Sequence, residues 1–136
     1  INLPVIIHCR GAFNELALAL KKTGVSEAGG VVHSFAGSME VAAELARFNL
    51  SFSIGGILTY RSSRKRERML KSIYPARFLL ETDSPDIPPV NAPSRINTPA
   101  NITLNLAAAA EILGVPAEEV AENTTANAVR IFGLKI

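Results

Sequence analysis

Short apolar runs alternate with stretches of helical periodicity along this chain, the pattern of βαβ units around a parallel sheet. Four runs read as strands: residues 4–8 (PVIIH), 30–33 (GVVH), 50–54 (LSFSI) and 77–82 (RFLLET). The first, second and fourth are nearly continuous in apolar residues, which predicts strands buried on both faces.

Between the first two strands, Phe13, Leu16, Ala17 and Leu20 recur at helical spacing. They predict a helix over 12–23, with Lys21 and Lys22 in its last turn and Gly24 as its stop. A second helix follows Gly37, with Ser38 as N-cap and Val41, Leu45 and Phe48 on one face. A third spans 63–73 and ends before Pro75. Residues 83–99 hold five of the eight prolines, a long loop of the kind that is usually functional. Thr98 then caps a helix with Pro99 in its first turn; Ile102, Leu106, Ala109 and Leu113 form its stripe, and Gly114 ends it. A last helical stretch covers 116–132, and Asn123-Thr124 could interrupt it. The order is β-α-β-α-β-α-β-loop-α-α. Four parallel strands fit the second half of an eight-stranded barrel or a small open α/β domain, such as one of the flavodoxin type.

The chain has 136 residues, 48% apolar and 19% charged, which is one domain's worth over 1–136 or a piece of a larger one, a single partial domain. It is too apolar for disorder, and it lacks the roughly 18 uninterrupted apolar residues of a membrane span. No basic n-region precedes an apolar segment, so no secretory pattern is read and a cytoplasmic location is expected. Opening on Ile1 rather than Met suggests a fragment. One cysteine, Cys9, excludes an internal disulfide framework and suits a reducing compartment. The net charge of +2 says little, and the absence of Trp argues against extended base-stacking platforms.

The chemistry concentrates at strand ends. The chain's two histidines, His8 and His33, each close an apolar run. Glu81 and Asp83 follow the fourth strand two residues apart, on one side of an extended backbone. The carboxyl ends of parallel strands are where barrel enzymes place their sites. Imidazole and carboxylate together suit a divalent cation such as Zn²⁺, Mn²⁺ or Mg²⁺. Two same-side carboxylates at the end of a buried strand need a cation or strong donors to offset desolvation. A strand-end histidine taken singly is more often structural; both histidines at matching places, with the acidic pair, favour ligands. Arg10 could bind an anionic substrate oxygen, since guanidinium matches phosphate; on its own it would read as a surface arginine. Cys9 reads as a small buried thiol. Six of the fourteen basic residues fall between Arg61 and Lys71, either a phosphate-tracking patch or a solvated helix face. Gly55-Gly56 allows either close backbone approach to a ligand or an ordinary turn.

Four patches carry a family resemblance: LPVIIHCR at 3–10, VHSFAGS at 32–38, FSIGG at 52–56 leading to Thr59, and FLLETDSP at 78–85. RINTP at 95–99, Glu119-Val120-Ala121 and NAVRIF at 127–132 extend it. The sequence resembles the C-terminal half of the TatD family of metal-dependent deoxyribonucleases. The resemblance implies strands five to eight of a TIM-type (β/α)8 barrel. It implies that His8 and His33 are metal ligands, and that Asp83 is both a ligand and the acceptor of the attacking water's proton. Glu81 is implied in a supporting catalytic role near the metals, with a divalent metal as cofactor and DNA as substrate; Arg10, two residues past His8, is the expected substrate contact from its position. The family also uses a His-x-His pair and a further glutamate, neither of which this sequence contains. The chain alone is therefore expected to be catalytically impaired. Its sheet edges should need a second copy or the other half of the barrel. Two other functions stay open: a self-associating module that binds metal or nucleic acid without turnover, and an amidohydrolase-type enzyme acting on a carbonyl.

Overall fold

The structure is a computed structural model and describes residues 2–135. Four strands form a single sheet: β1 (Val5–His8), β2 (Gly30–His33), β3 (Leu50–Ile54) and β4 (Phe78–Leu80). All pairs are parallel and the spatial order is β1-β2-β3-β4. An open doubly wound domain reverses its strand order at a switch point. No reversal occurs here, which removes the flavodoxin-type alternative.

The helices are α1 (Phe13–Thr23), α2 (Met39–Ala46), α3 (Arg64–Ile73), α4 (Ile102–Leu113) and α5 (Ala117–Phe132). Each packs against the next in chain order, making one helical layer. Right-handed crossovers between sequential parallel strands place their helices on a single face, and that is the hand almost all such units adopt. Val32, Phe52, Ile54 and Phe78 turn toward this layer and join Leu45, Leu70 and Val120 in one fully or almost fully buried cluster. Side chains alternate along each strand, so Ile6, Val31, Ser51, Ser53 and Leu79 point to the opposite face.

The expected Ser38 cap is present, and Ser63, expected as the first residue of its helix, caps α3 instead. Ser38 Oγ accepts the Val41 N–H at 3.4 Å and Ser63 Oγ accepts the Arg66 N–H at 3.5 Å. Three expectations need correction. Thr98 makes no side-chain cap; a 3-10 turn at Pro99–Asn101 precedes α4, whose fully buried positions are Asn105 and Ala109, while Leu106 and Leu113 pack at its flank. α5 is unbroken, because the Thr124 hydroxyl donates back to the Val120 carbonyl at 2.8 Å within the helix.

The third correction concerns β1. Its apolar residues are not buried on both faces: Val5 and Ile6 are exposed, Ile6 by 67%, whereas every residue of β3 is buried. Ile7 alone packs against the core, because no element of the described residues lies over β1's other face or its outer edge.

Among the described residues no single helix is long and apolar enough to cross a membrane.

Candidate metal and catalytic site

Parallel register sets the site. His8 and His33 are direct partners across β1 and β2, so their side chains leave the same face side by side. Ser53 in β3 lies on that face, and Glu81 just beyond β4 continues the row. All four stand at the carboxyl ends of their strands.

The rings share a hydrogen bond between His8 Nδ1 and His33 Nε2 at 2.8 Å, with centroids 5.0 Å apart. The other nitrogen of His33, Nδ1, faces both carboxylates, at 3.8 Å from Glu81 Oε2 and 3.8 Å from Asp83 Oδ1. His8 is exposed; His33, Glu81 and Asp83 are partly buried. The structure therefore gathers His8, His33, Glu81 and Asp83 at one rim.

Glu81 is anchored. Its Oε1 accepts the Ser34 N–H at 2.6 Å, and Oε2 accepts the Ser53 hydroxyl. Burial pushes the Glu81 carboxyl above its ordinary value; the Ser53 and Ser34 hydrogen bonds and the nearby His33 pull the other way, and Asp83 adds a small push upward. Asp83 has no such donors among the described residues and sits in the left-handed region with φ 55°. Ser34, next to His33, does the same with φ 49°. Such backbone clusters where a site needs a side chain aimed against its natural preference.

The donor set suits a divalent cation. A separation of 3.8 Å is too long for a hydrogen bond. It is short enough for His33 Nδ1 and a carboxylate oxygen to share an ion, each bond being about 2.0–2.2 Å. As placed, no group of three His, Cys, Asp or Glu side chains among the described residues is assembled to hold one. His8 Nδ1 and His33 Nε2 are engaged with each other, which leaves His8 Nε2 and, facing the carboxylates, His33 Nδ1 as the ring nitrogens that could meet an ion.

Arg10 is exposed on the turn before α1, with no hydrogen bond or ion pair among the described residues, and the structure does not bring it into the cluster. Cys9 is half-buried against the core, as a small packed thiol. Gly55-Gly56 approaches the chain itself. A Cβ at Gly55 would stand 2.8 Å from Glu81 O, and one at Gly56 2.0 Å from Ile87 O, so both glycines admit the segment that carries the carboxylates. The basic residues Arg61, Arg64, Lys65, Arg68 and Lys71 are exposed and make no ion pair among the described residues. Sequence reasoning missed Ser34 and Ser53. Ser53 left a signal: LSFSI alternates strictly, and its two serines mark a polar strip on the face away from the helices.

Comparison with known proteins gives the same class. The family described as "TatD related DNase" matches residues 1–133. The chain is 37% identical over 132 residues to the uncharacterized metal-dependent hydrolase YabD of Bacillus subtilis (strain 168), covering 97% of this chain and 52% of that protein. It superposes on the crystal structure of YJJV, a TatD homolog from Escherichia coli K12, with TM-score 0.88 and 32% identity, over 98% of this chain and 51% of that one. It shares a fold with a TatD family hydrolase from Entamoeba histolytica, at TM-score 0.84 and 21% identity over 96% and 51% of the two chains. This chain belongs to the TatD-related DNase family, whose relatives are named as metal-dependent hydrolases. It spans about half the length of the curated relatives it matches.

Proposed function

We propose that this chain is the C-terminal half of a (β/α)8-barrel hydrolase, supplying strands five to eight, and that the whole protein cleaves phosphodiester bonds in DNA with a divalent metal. The observation that carries the reading is the row His8, His33, Glu81, Asp83 at the carboxyl ends of neighbouring parallel strands. The unreversed strand order and the bare outer edge of β1 support the barrel, since closing a sheet removes its edges.

His8, His33 and Asp83 would hold the metal. When bound, such an ion polarises a phosphoryl oxygen and makes a bound water acidic near neutral pH. Asp83, the carboxylate least tied up in the site, would accept the proton of the attacking water. Glu81 is fixed by the Ser53 hydroxyl and the Ser34 N–H, and its charge orients the His33 ring 3.8 Å away. Arg10 is a substrate contact that must swing to the rim to meet a phosphate. Nuclease chemistry rather than attack on a carbonyl is favoured by the family description and by the exposed cations between Arg61 and Lys71.

The second reading is a module that binds metal or nucleic acid without turnover. It is favoured by the absence, among the described residues, of an assembled three-donor group. Metal-dependent release of nucleotides from single-stranded DNA, run beside ester and amide panels, separates the readings. Release from DNA alone supports the nuclease. Hydrolysis confined to esters or amides replaces it with the carbonyl enzyme, and stoichiometric metal without any turnover replaces it with the binding module.

A further inference from the structure

Glu81 and Asp83 lie at the start of a segment that has neither strand nor helix from 81 to 98, yet its backbone is fixed. Three buried asparagines, four residues apart, hold it. Asn97, 2% exposed, turns its side-chain Nδ2 toward the main-chain oxygens of Thr82, Asp86 (2.7 Å) and Ile87 (3.2 Å). Its own backbone N–H donates to Pro85 O at 3.0 Å. Asn101 donates Nδ2 to Asn97 Oδ1 at 2.8 Å, which orients that amide. Asn105, fully buried on α4, donates Nδ2 to Glu81 O at 2.8 Å.

Carbonyl oxygens that converge repel one another unless a donor sits between them. A neutral carboxamide with two N–H protons is the side chain that does this without burying a charge. The result brackets Asp83: the oxygens of Glu81 and Thr82 are held on one side, and those of Pro85, Asp86 and Ile87 on the other. Between them Asp83 O accepts the Asp86 N–H at 2.8 Å. The bracket contains two left-handed residues, Asp83 at φ 55° and the β-branched Ile87 at φ 47°. Conformations of that kind persist only where their surroundings over-determine them. Asn105 also carries a cost. Its Oδ1 is buried without a hydrogen-bond partner among the described residues, a loss that an apolar side chain would avoid. What Asn105 supplies in exchange is its hold on Glu81.

We propose that the Asn97–Asn101–Asn105 ladder is a positioning device that aims the Asp83 carboxylate at His33 by clamping the backbone on both sides of it. The proposal rests on the reading of His8, His33 and Asp83 as the metal-holding set. Asn127 provides an internal control. It is equally buried and its Nδ2 also bridges two carbonyls, Pro75 O at 2.7 Å and Phe78 O at 2.9 Å, but at the other end of β4, away from the carboxylates.

Two measurements on the full chain test the ladder: hydrogen exchange at the Asp86 and Asn97 amides without metal, and a Co²⁺ titration followed by visible absorption. Asn97→Ala is expected to speed exchange at both amides and to weaken Co²⁺ binding about 10–100-fold, the usual cost of losing support behind a metal ligand. Asn101→Ala should move both readouts the same way by less, and it serves if Asn97→Ala does not fold. Asn127→Ala should lower the unfolding midpoint and leave both readouts at their wild-type values. Unaltered exchange in the two ladder variants would overturn the proposal. So would faster exchange with wild-type Co²⁺ affinity, or an equal loss of Co²⁺ binding in Asn127→Ala. If the wild-type chain takes up no Co²⁺ while exchange changes as expected, the metal reading falls and the ladder's grip on Asp83 stands.

Discussion

The two edge strands of the sheet, β1 and β4, begin from similar sequence and end in different environments. PVIIH and RFLLET are both apolar runs that close on polar site residues. β4 is roofed by α4 and α5: Phe78 is fully buried, and the main-chain oxygens of Phe78 and of Glu81 just beyond the strand are taken by Asn127 and Asn105. β1 has no such cover; Leu3 and Ile6 are 63% and 67% exposed and His8 is exposed with them. Apolarity in a strand does not by itself say which elements cover it. The candidate site straddles this contrast, with its carboxylates on the supported side and His8 on the bare one.

Truncation should expose the contrast most strongly. Phe78→Ala is expected to cost about 3–5 kcal/mol, the usual range for a fully buried phenylalanine. Ile6→Ala should cost less than about 0.5 kcal/mol, as for other surface positions. Urea midpoints at fixed protein concentration measure both. A cost for Ile6→Ala approaching that of Phe78→Ala would mean that β1 is covered in solution, and a concentration-dependent midpoint would assign the cover to a second copy.

Next in size is the carbonyl support of β4. Asn127→Ala leaves the oxygens of Pro75 and Phe78 without their donor and should cost about 1–3 kcal/mol. A midpoint unchanged from wild type would show that water replaces the amide and that β4's edge is wetter than its burial implies. On the bare side, His8→Ala should shift stability by no more than about 0.5 kcal/mol, because the residue is exposed on an edge strand. The same substitution should abolish the response to Co²⁺. Wild-type Co²⁺ binding in His8→Ala would remove β1 from the site and leave His33 and the carboxylates to hold the ion without it.

These differences also mark what the sequence makes legible. The strand runs, the Ser38 cap and the Gly24 stop are local signals, written in neighbouring residues, and the structure keeps them. The juxtaposition of His8 with His33 was legible as well, because parallel register aligns matching strand ends. Exposure of β1 was not, since a run of Val and Ile carries no information about which elements cover it. The break considered at Asn123-Thr124 failed for a related reason: the helix absorbs both polar side chains, one by back-bonding and one by reaching Tyr74. The roles of Asn97, Asn101 and Asn105 were not legible, because a loop asparagine and a polar residue beside an apolar stripe both look solvent-facing. Only their partners, main-chain oxygens 10 to 24 residues away for Asn97 and Asn105 and the Asn97 amide for Asn101, show why they are buried.

The smallest effect lies at the foot of the supported side, where Tyr74 links the end of α3 to α5. Its hydroxyl donates to Glu119 Oε1 at 2.8 Å and accepts from Asn123 Nδ2 at 2.9 Å. Desolvation, aided by the Glu119 carboxylate that accepts the phenol's proton, raises Tyr74 above its ordinary value of 10.0, and the Asn123 donor opposes the rise. The folded chain thus holds this proton more tightly than the unfolded chain. The associated stability is complete below about pH 10 and is lost as pH rises through the folded value. Tyr74→Phe removes the titrating group, so its stability should decline less steeply above pH 10 than that of wild type, even though it starts lower for want of two hydrogen bonds. Urea midpoints taken from pH 8 upward read the difference, in which every other alkaline titration cancels. Parallel curves for the two proteins would mean that the phenol ionises as freely in the fold as in the open chain, and that α5 is tied to the sheet side by Asn127, Arg130 and packing without it.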